Sequence, residues 1–357
     1  MSEPAPPHLL RHAPGLAGRL AWRSLGRLPT PLEPLTLRPP DGEPRTILVK
    51  RDDLSGASYG GNKVRKLEFI VAAALARGAR RLITVGAAGS HHALATAVYG
   101  RAAGLDVTLV LFPQPRTPHV RNVLLQHAAT GAELRWVPRM TAIPMGVLAA
   151  RLRHWRERPW VVPAGGSDPV GTLGYVSAGL ELAEQLESGA HEPPGRIHVA
   201  SGTMGTAVGL ALGLALANRP IPIHAVRITP PLVTNERLMQ RLLTRTATLL
   251  HEAGLERVPT GEAWSMLRLR HDQVGAGYGQ ATPAGERAAA VFGAAGLPLD
   301  PTYTAKAAAD LLAEPAAPGE PPPLFLHTLS AVEPADPATL DAASLPAVFR
   351  RYLERAG

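Results

Sequence analysis

The sequence contains no cysteine. That excludes disulfides, thiolate metal sites and a cysteine nucleophile, while leaving the compartment open. Lysine is almost as scarce: of 37 basic residues, only Lys50, Lys63, Lys66 and Lys306 are lysines. No stretch approaches the roughly 18 unbroken apolar residues of a membrane span. No apolar run follows the first charges, so neither a membrane segment nor a secretory signal is expected, and the cytoplasm is the default location. The net charge is +8, but the arginines are scattered, with no basic run and no aromatic interleaving. Nucleic-acid binding is therefore not expected. There is no His-Glu-x-x-His pattern, no Walker A motif and no Gly-x-Gly-x-x-Gly fingerprint, and no metal site is expected.

What is present is a chain of 357 residues, long enough for two domains. Short apolar runs alternate with helical patterns. Strands are expected at Thr46–Lys50, Leu82–Val85, Val107–Phe112, Leu134–Val137, Trp160–Val162, Ile197–Ala200, Ile223–Ile228 and Leu324–Thr328, with helices at Pro118–Ala129 and Ala207–Ala217 among those between them. That order implies βαβ units and an α/β fold of parallel sheet covered on both faces. Residues 1 to about 30, rich in Pro, Arg and Leu, are expected to wrap the surface, and Pro315–Pro323 to form a surface loop.

The most informative stretch is Gly60-Gly61-Asn62-Lys63-Val64-Arg65-Lys66-Leu67-Glu68-Phe69. Two glycines allow positive φ and close approach to a bound group. Asn62 has the side chain of an N-cap, and Leu67, Ile70 and Val71 begin an apolar helical stripe. Lys63 thus falls in the first helical turn, where the dipole disfavours a cation. That placement suits an amine that must lose its proton and attack a carbonyl, although most lysines near helix starts are simply solvated.

Three further loops follow expected strand ends, where ligands of open α/β sheets sit. In Gly86-Ala87-Ala88-Gly89-Ser90-His91-His92, helix amides and the Ser90 hydroxyl could receive a carboxylate. The adjacent histidines point about 100° apart, which argues against a metal pair and suits a polar helix start. In Ala200-Ser201-Gly202-Thr203-Met204-Gly205-Thr206, small residues before a helix could cradle a phosphate, though glycine-rich turns of this kind are common. Leu324-Phe325-Leu326-His327-Thr328 ends in a hydroxyl. Between them, Gly165-Gly166-Ser167-Asp168-Pro169 reads as a turn and N-cap. Tyr278, in Gly277-Tyr278-Gly279, and Tyr303, in Asp300-Pro301-Thr302-Tyr303-Thr304, read as half-buried tyrosines at loop ends.

Lys50-Arg51-Asp52-Asp53-Leu54 followed by Gly60-Gly61-Asn62-Lys63-x-Arg65-Lys66-Leu67-Glu68 resembles the signature of the D-cysteine desulfhydrase and 1-aminocyclopropane-1-carboxylate deaminase family. The likeness runs from about Leu28 to Ser330. It implies a pyridoxal 5'-phosphate enzyme of the tryptophan-synthase-β type, with two domains of twisted, mostly parallel sheet: a large one of residues 1–50 and 164–357, and a small one of residues 51–163. It implies that Lys63 carries the cofactor as a Schiff base beside Asn62. Ser90 would hold the substrate carboxylate, with His91, His92 and Thr304 on the substrate. Ser201, Gly202, Thr203, Met204, Gly205 and Thr206 would surround the phosphate. Tyr278 would lie near the Schiff base, Tyr303 would act as acid or base beside the leaving group, and Thr328 would face the pyridine nitrogen, tempering the electron sink. Three positions depart from the family pattern. His91 replaces the Asn that bonds the cofactor's 3-oxygen, Met204 replaces a glycine of the phosphate loop, and Leu329-Ser330 replace Gly-Gly. Thr304 and Thr328 stand where deaminases have Glu and Leu, which favours desulfhydrase chemistry. The resemblance thus implies β-elimination on a small D-amino acid, D-cysteine foremost, by a homodimer. Deamination, β-replacement or racemisation is the alternative within the family, and a degenerate, non-catalytic relative the alternative outside it. A nicotinamide oxidoreductase is disfavoured by the absent fingerprint.

Overall fold

The computed structural model of the protein describes residues 5–354, apart from 41, 315, 316, 318, 337 and 338. Among the described residues, ten strands form two sheets. They are β1 (Leu32–Leu37), β2 (Arg45–Lys50), β3 (Arg81–Ala87), β4 (Asp106–Phe112), β5 (Glu133–Trp136), β6 (Trp160–Val162), β7 (Ile197–Ser201), β8 (Ile223–Arg227), β9 (Leu267–Arg270) and β10 (Leu324–Leu326). One sheet has the order β1-β2-β10-β7-β8-β9, the other β5-β4-β3-β6. All pairings are parallel except β1 with β2. Helices flank both sheets, giving a two-sheet α/β architecture. Every residue of β3 is buried, the consequence of helices on both faces of a parallel strand.

Two strands lie where none is expected from the sequence. β1 carries Pro34 and sits on the sheet edge, where a missing amide leaves no ladder bond unmade. β9, Leu-Arg-Leu-Arg, closes the other edge. The first thirty residues do more than wrap the surface. Leu9 and Leu16, from the helix His8–His12 and the turn after it, are fully buried in the core cluster around Tyr175 and Val199. Part of the loop expected at Pro315–Pro323 lies outside the described residues.

The helix Gly205–Leu216 is buried along almost its whole length and crosses the helix Pro169–Glu187 backbone to backbone. A Cβ on Gly213 would lie 2.2 Å from the Val176 carbonyl and 2.8 Å from Gly179 Cα. Only glycine permits that separation, and the close crossing fixes the N-terminus of Gly205–Leu216 at the end of β7. A buried ionic network performs the same service for the helix Lys63–Ala76. Arg65 donates to Asp52 and Glu181, at 2.8 Å to each, and Lys50 donates to Glu181 at 2.5 Å. Burial alone would raise the Glu181 carboxyl, but Arg65 and Lys50 pull it far below the usual carboxylate range. Among the described residues, no helix is long and apolar enough to cross a membrane.

Candidate active site

A cavity of about 470 Å³ opens between the two sheets, where β3, β4, β7, β8 and β10 end. Asn62, Lys63, Ser90, His91, His92, Ser201, Gly202, Thr203, Met204, Thr206, Tyr278, Tyr303 and Thr328 all line it. The loops named from the sequence therefore converge on one crevice. Thr304 and Gly205 are not among the lining residues.

Lys63 is the first residue of its helix. Its approach to the sheet depends on Gly61, which has φ +86° and packs so closely that a Cβ would lie 2.6 Å from the Thr328 carbonyl. Ser330, one of the two residues that replace the family's glycines, accepts a 2.7 Å hydrogen bond from the Gly60 amide. The departure from glycine thus ties the turn down. Burial lowers the Lys63 amine to about 8, against a weaker opposing pull from Asp300. Asn62 does not cap the helix with its side chain. It is itself in the right-handed region, its Oδ1 accepts from Lys63 Nζ at 2.7 Å, and its Nδ2 donates to Thr206 Oγ1 at 3.0 Å.

Ser90 is an N-cap, its Oγ accepting from the Ala93 amide at 3.2 Å, which leaves its own proton free to be donated. His91 is tied on both sides, Nδ1 to the Tyr59 hydroxyl at 2.5 Å and Nε2 to His119 Nε2 at 3.0 Å. The hydrogen bond to a cofactor oxygen implied by the resemblance therefore has no free imidazole N–H behind it in this arrangement. Burial, reinforced by His119, lowers His91 to about 3, so the ring is neutral. His92 Nε2 lies 2.9 Å from Thr84 Oγ1, whose proton goes to the Val162 carbonyl at 3.1 Å. Burial, and next the charge of Lys63, lower His92 well below the ordinary imidazole value, so the ring is neutral.

In the second loop Met204 has φ 65°, in the left-handed region that favours glycine. The fold accepts the steric penalty of a side chain there. Ser201 Oγ is buried and has no hydrogen-bond partner among the described residues, an orphaned hydroxyl on the cavity wall. The Gly205 amide is turned onto Thr203 O at 2.8 Å and Ser167 Oγ at 3.3 Å. The same Ser167 Oγ receives Lys66 Nζ at 3.0 Å and lies 2.7 Å from Thr203 Oγ1. Burial, and next the charge of Lys63, push the Lys66 amine well below its ordinary value. An anion in the loop would relieve both the orphaned hydroxyl and the buried amine. Lys66 and Ser167 are members of this site that the sequence reading passed over. The spacing of Lys63 and Lys66, which puts them on one helix face, was the available signal.

Tyr278 and Tyr303 face each other across 2.5 Å between hydroxyl oxygens. Burial raises Tyr278 to about 12, and burial together with Tyr278 raises Tyr303 well above the ordinary phenol value, so both stay protonated. Thr304 is turned away from the cavity because Asp300 claims it. The Thr304 hydroxyl donates to Asp300 Oδ2 at 2.7 Å, and the Tyr303 amide donates to Asp300 Oδ1 at 2.7 Å. Asp300 thus fixes the loop that carries Tyr303. At the opposite ends of β7 and β8, His198, His224 and Asp310 cluster. Arg270 lies 3.2 Å from both Asp310 and Glu314, so this group holds together as an ion-pair network.

The profile of the family described as "Pyridoxal-phosphate dependent enzyme" matches residues 23–328. The chain is 37% identical to a nocardicin C-9' epimerase of Nocardia uniformis subsp. tsuyamanensis over 82% of its length and 89% of the relative's. It is 34% identical to a D-cysteine desulfhydrase of Salmonella paratyphi A, over 84% and 91%. A crystal structure described as an ACC deaminase homologue superposes with a TM-score of 0.74 at 29% identity, covering 92% of this chain and 96% of that one.

Proposed function

Because the chain belongs to the pyridoxal-phosphate dependent enzyme family, we propose that it eliminates a β-substituent from a D-amino acid, with D-cysteine going to pyruvate, ammonia and sulfide as the reference reaction. The observation that carries this reading is the Lys63 amine, lowered to about 8 by burial, in one cavity with the paired hydroxyls of Tyr278 and Tyr303.

Bound pyridoxal phosphate supplies the electron sink that acidifies the Cα–H bond. Lys63 would carry it. Ser201, Gly202, Thr203, Met204, Thr206 and Lys66 would face its phosphate, and Thr328 its ring nitrogen. Ser90, at a helix N-terminus, binds the substrate carboxylate through its free O–H and the first-turn amides. Lys63 Nζ takes the Cα proton, a task suited to an amine whose pKa lies close to the working pH. Tyr303, kept protonated, gives a proton to the departing sulfur, and the Tyr278 hydroxyl stabilises the oxygen left behind. Thr304 acts only through Asp300 and the Tyr303 loop.

The test is the visible absorption spectrum of the purified protein and of Lys63→Ala, before and after D-cysteine. A band present only with Lys63, shifted by D-cysteine with release of sulfide, supports the reading. A Lys63-dependent band indifferent to D-cysteine would sink it.

A relative named as an epimerase favours a second reading, epimerisation or racemisation at Cα, for which the protonated Tyr303 hydroxyl is a second proton-carrying group on the cavity wall besides Lys63. Deuterium uptake at Cα with loss of optical purity, and no pyruvate, would identify it. We further propose the division into residues 51–163 and the remainder as the small and large domains, supported by the separate sheets those segments form. A homodimer is proposed on the family resemblance, to be checked by solution mass.

A further inference from the structure

The cavity extends beyond its reactive residues. Ser201 and Ser90, on the inner side, are 2% and 5% exposed, whereas Met140 at the mouth is 44% exposed. Between these limits the wall is apolar: Phe112 at the end of β4, Met140 and Ile143 from the segment after β5, and Pro230 and Val233 from the segment after β8. None of these five carries a hydrogen-bonding side chain. The neighbouring Thr229 hydroxyl is committed to Gly202 O at 3.1 Å and Thr234 Oγ1 at 2.7 Å. Arg139, the one charged side chain of this outer wall, is exposed at the rim. A sulfide leaving group needs only the space beside Tyr303 and gives these residues nothing to bury. Water against such a wall is readily displaced by an apolar group.

We infer that the substrate is a D-amino acid whose β-substituent is a thioether ending in a bulky alkyl or aryl group. That group sits between Met140 and Ile143 on one wall and Pro230 and Val233 on the other. The inference rests on the β-elimination reading. The Cα–H bond breaks with its proton going to Lys63, and the Cβ–S bond breaks with its electron pair going to sulfur as the Cα–Cβ double bond forms. The thiolate takes a proton from Tyr303 and leaves as a thiol. Water then converts the aminoacrylate to pyruvate and ammonia, and no oxidant or reductant is consumed.

The experiment compares D-cysteine, S-methyl-D-cysteine and S-benzyl-D-cysteine on the holoenzyme. Binding is read from the shift of the visible band, and turnover from pyruvate and released thiol. Burying a phenyl ring in this wall predicts about ten- to hundredfold tighter binding of the S-benzyl than of the S-methyl compound. Ile143→Asp should remove most of that preference, and Val233→Asp, on the opposite wall, should do the same if Ile143→Asp fails to fold. Equal binding of the two thioethers by an enzyme that turns over D-cysteine overturns the inference alone. So does a variant that weakens both thioethers alike. If no compound, D-cysteine included, moves the Lys63-dependent band, the β-elimination reading fails and this inference fails with it.

Discussion

Asn62 Oδ1 holds the Lys63 amine at 2.7 Å. Its amide nitrogen reaches Thr206 at 3.0 Å, so one side chain couples Lys63 to the first turn of the helix Gly205–Leu216. Replacing Asn62 with Leu keeps the volume and removes both bonds. A net hydrogen bond is worth about 1 kcal/mol, so pyridoxal phosphate affinity should fall roughly ten- to thirtyfold while the Lys63-dependent band still forms at saturation. Cofactor titration of the apoprotein measures this. Unchanged affinity would mean that Asn62 merely fills space.

The lowered Lys63 amine has a pH signature. Below about 8 the folded amine is protonated and cannot attack a carbonyl, so cofactor uptake should quicken about tenfold per pH unit and level off above that point. The sign for stability is also fixed. Between about 8 and the ordinary 10.5 the unfolded lysine holds a proton that the folded one has lost, so this residue's contribution makes stability rise with pH there. Stopped-flow absorbance across pH 6 to 10 would show the uptake midpoint; a rate still climbing tenfold per unit at the top of that range, as an amine at its ordinary 10.5 requires, would refute the buried-amine assignment.

Tyr278 and Tyr303 share one hydrogen bond at 2.5 Å, and groups acting as a unit lose function non-additively. Tyr303→Phe should lower kcat about 10²- to 10⁴-fold, the range for a positioned proton donor, with little change in KM. Tyr278→Phe should cost less. The double variant should be no slower than Tyr303→Phe alone. Multiplicative losses would show the hydroxyls working independently.

The strands and helices around the site were legible because buried parallel strands are continuous apolar runs bounded by glycine, as at Leu82–Val85 and Ile197–Ala200. The edge strands β1 and β9 were not, because Pro34 and alternating arginines are what an edge tolerates. Within the site, the positions of Lys63, Ser90, Tyr278 and Tyr303 were legible from motif order. The partners of His91, the use of Thr304 by Asp300 and the orientation of Asn62 were not. Each depends on which of several polar neighbours is nearest in space. Lys66 was legible only as the neighbour of Lys63 on one helix face, because its contacts with the Gly165 carbonyl and Ser167 come from a segment distant in the chain.

Met204 offers a test in which the usual ranking of residues is inverted. Its φ of 65° lies where side chains are penalised by roughly 1 to 2 kcal/mol, and its side chain is 8% exposed in the large core cluster. Met204→Ala and Met204→Gly lose the same packing, about 2 to 5 kcal/mol, and differ only in backbone freedom. At an ordinary right-handed position alanine is the more stable of the two by about 0.5 to 1 kcal/mol. Here the glycine variant should be the more stable by about 1 kcal/mol, in thermal or denaturant unfolding. The same logic extends to the cofactor. Alanine can relieve the strain only by pulling the loop out of its left-handed turn, which turns backbone amides away from the phosphate, while glycine holds the turn without strain. Met204→Gly should therefore bind pyridoxal phosphate at least as tightly as Met204→Ala. The opposite order in both measurements would show that the loop does not depend on the left-handed conformation at residue 204.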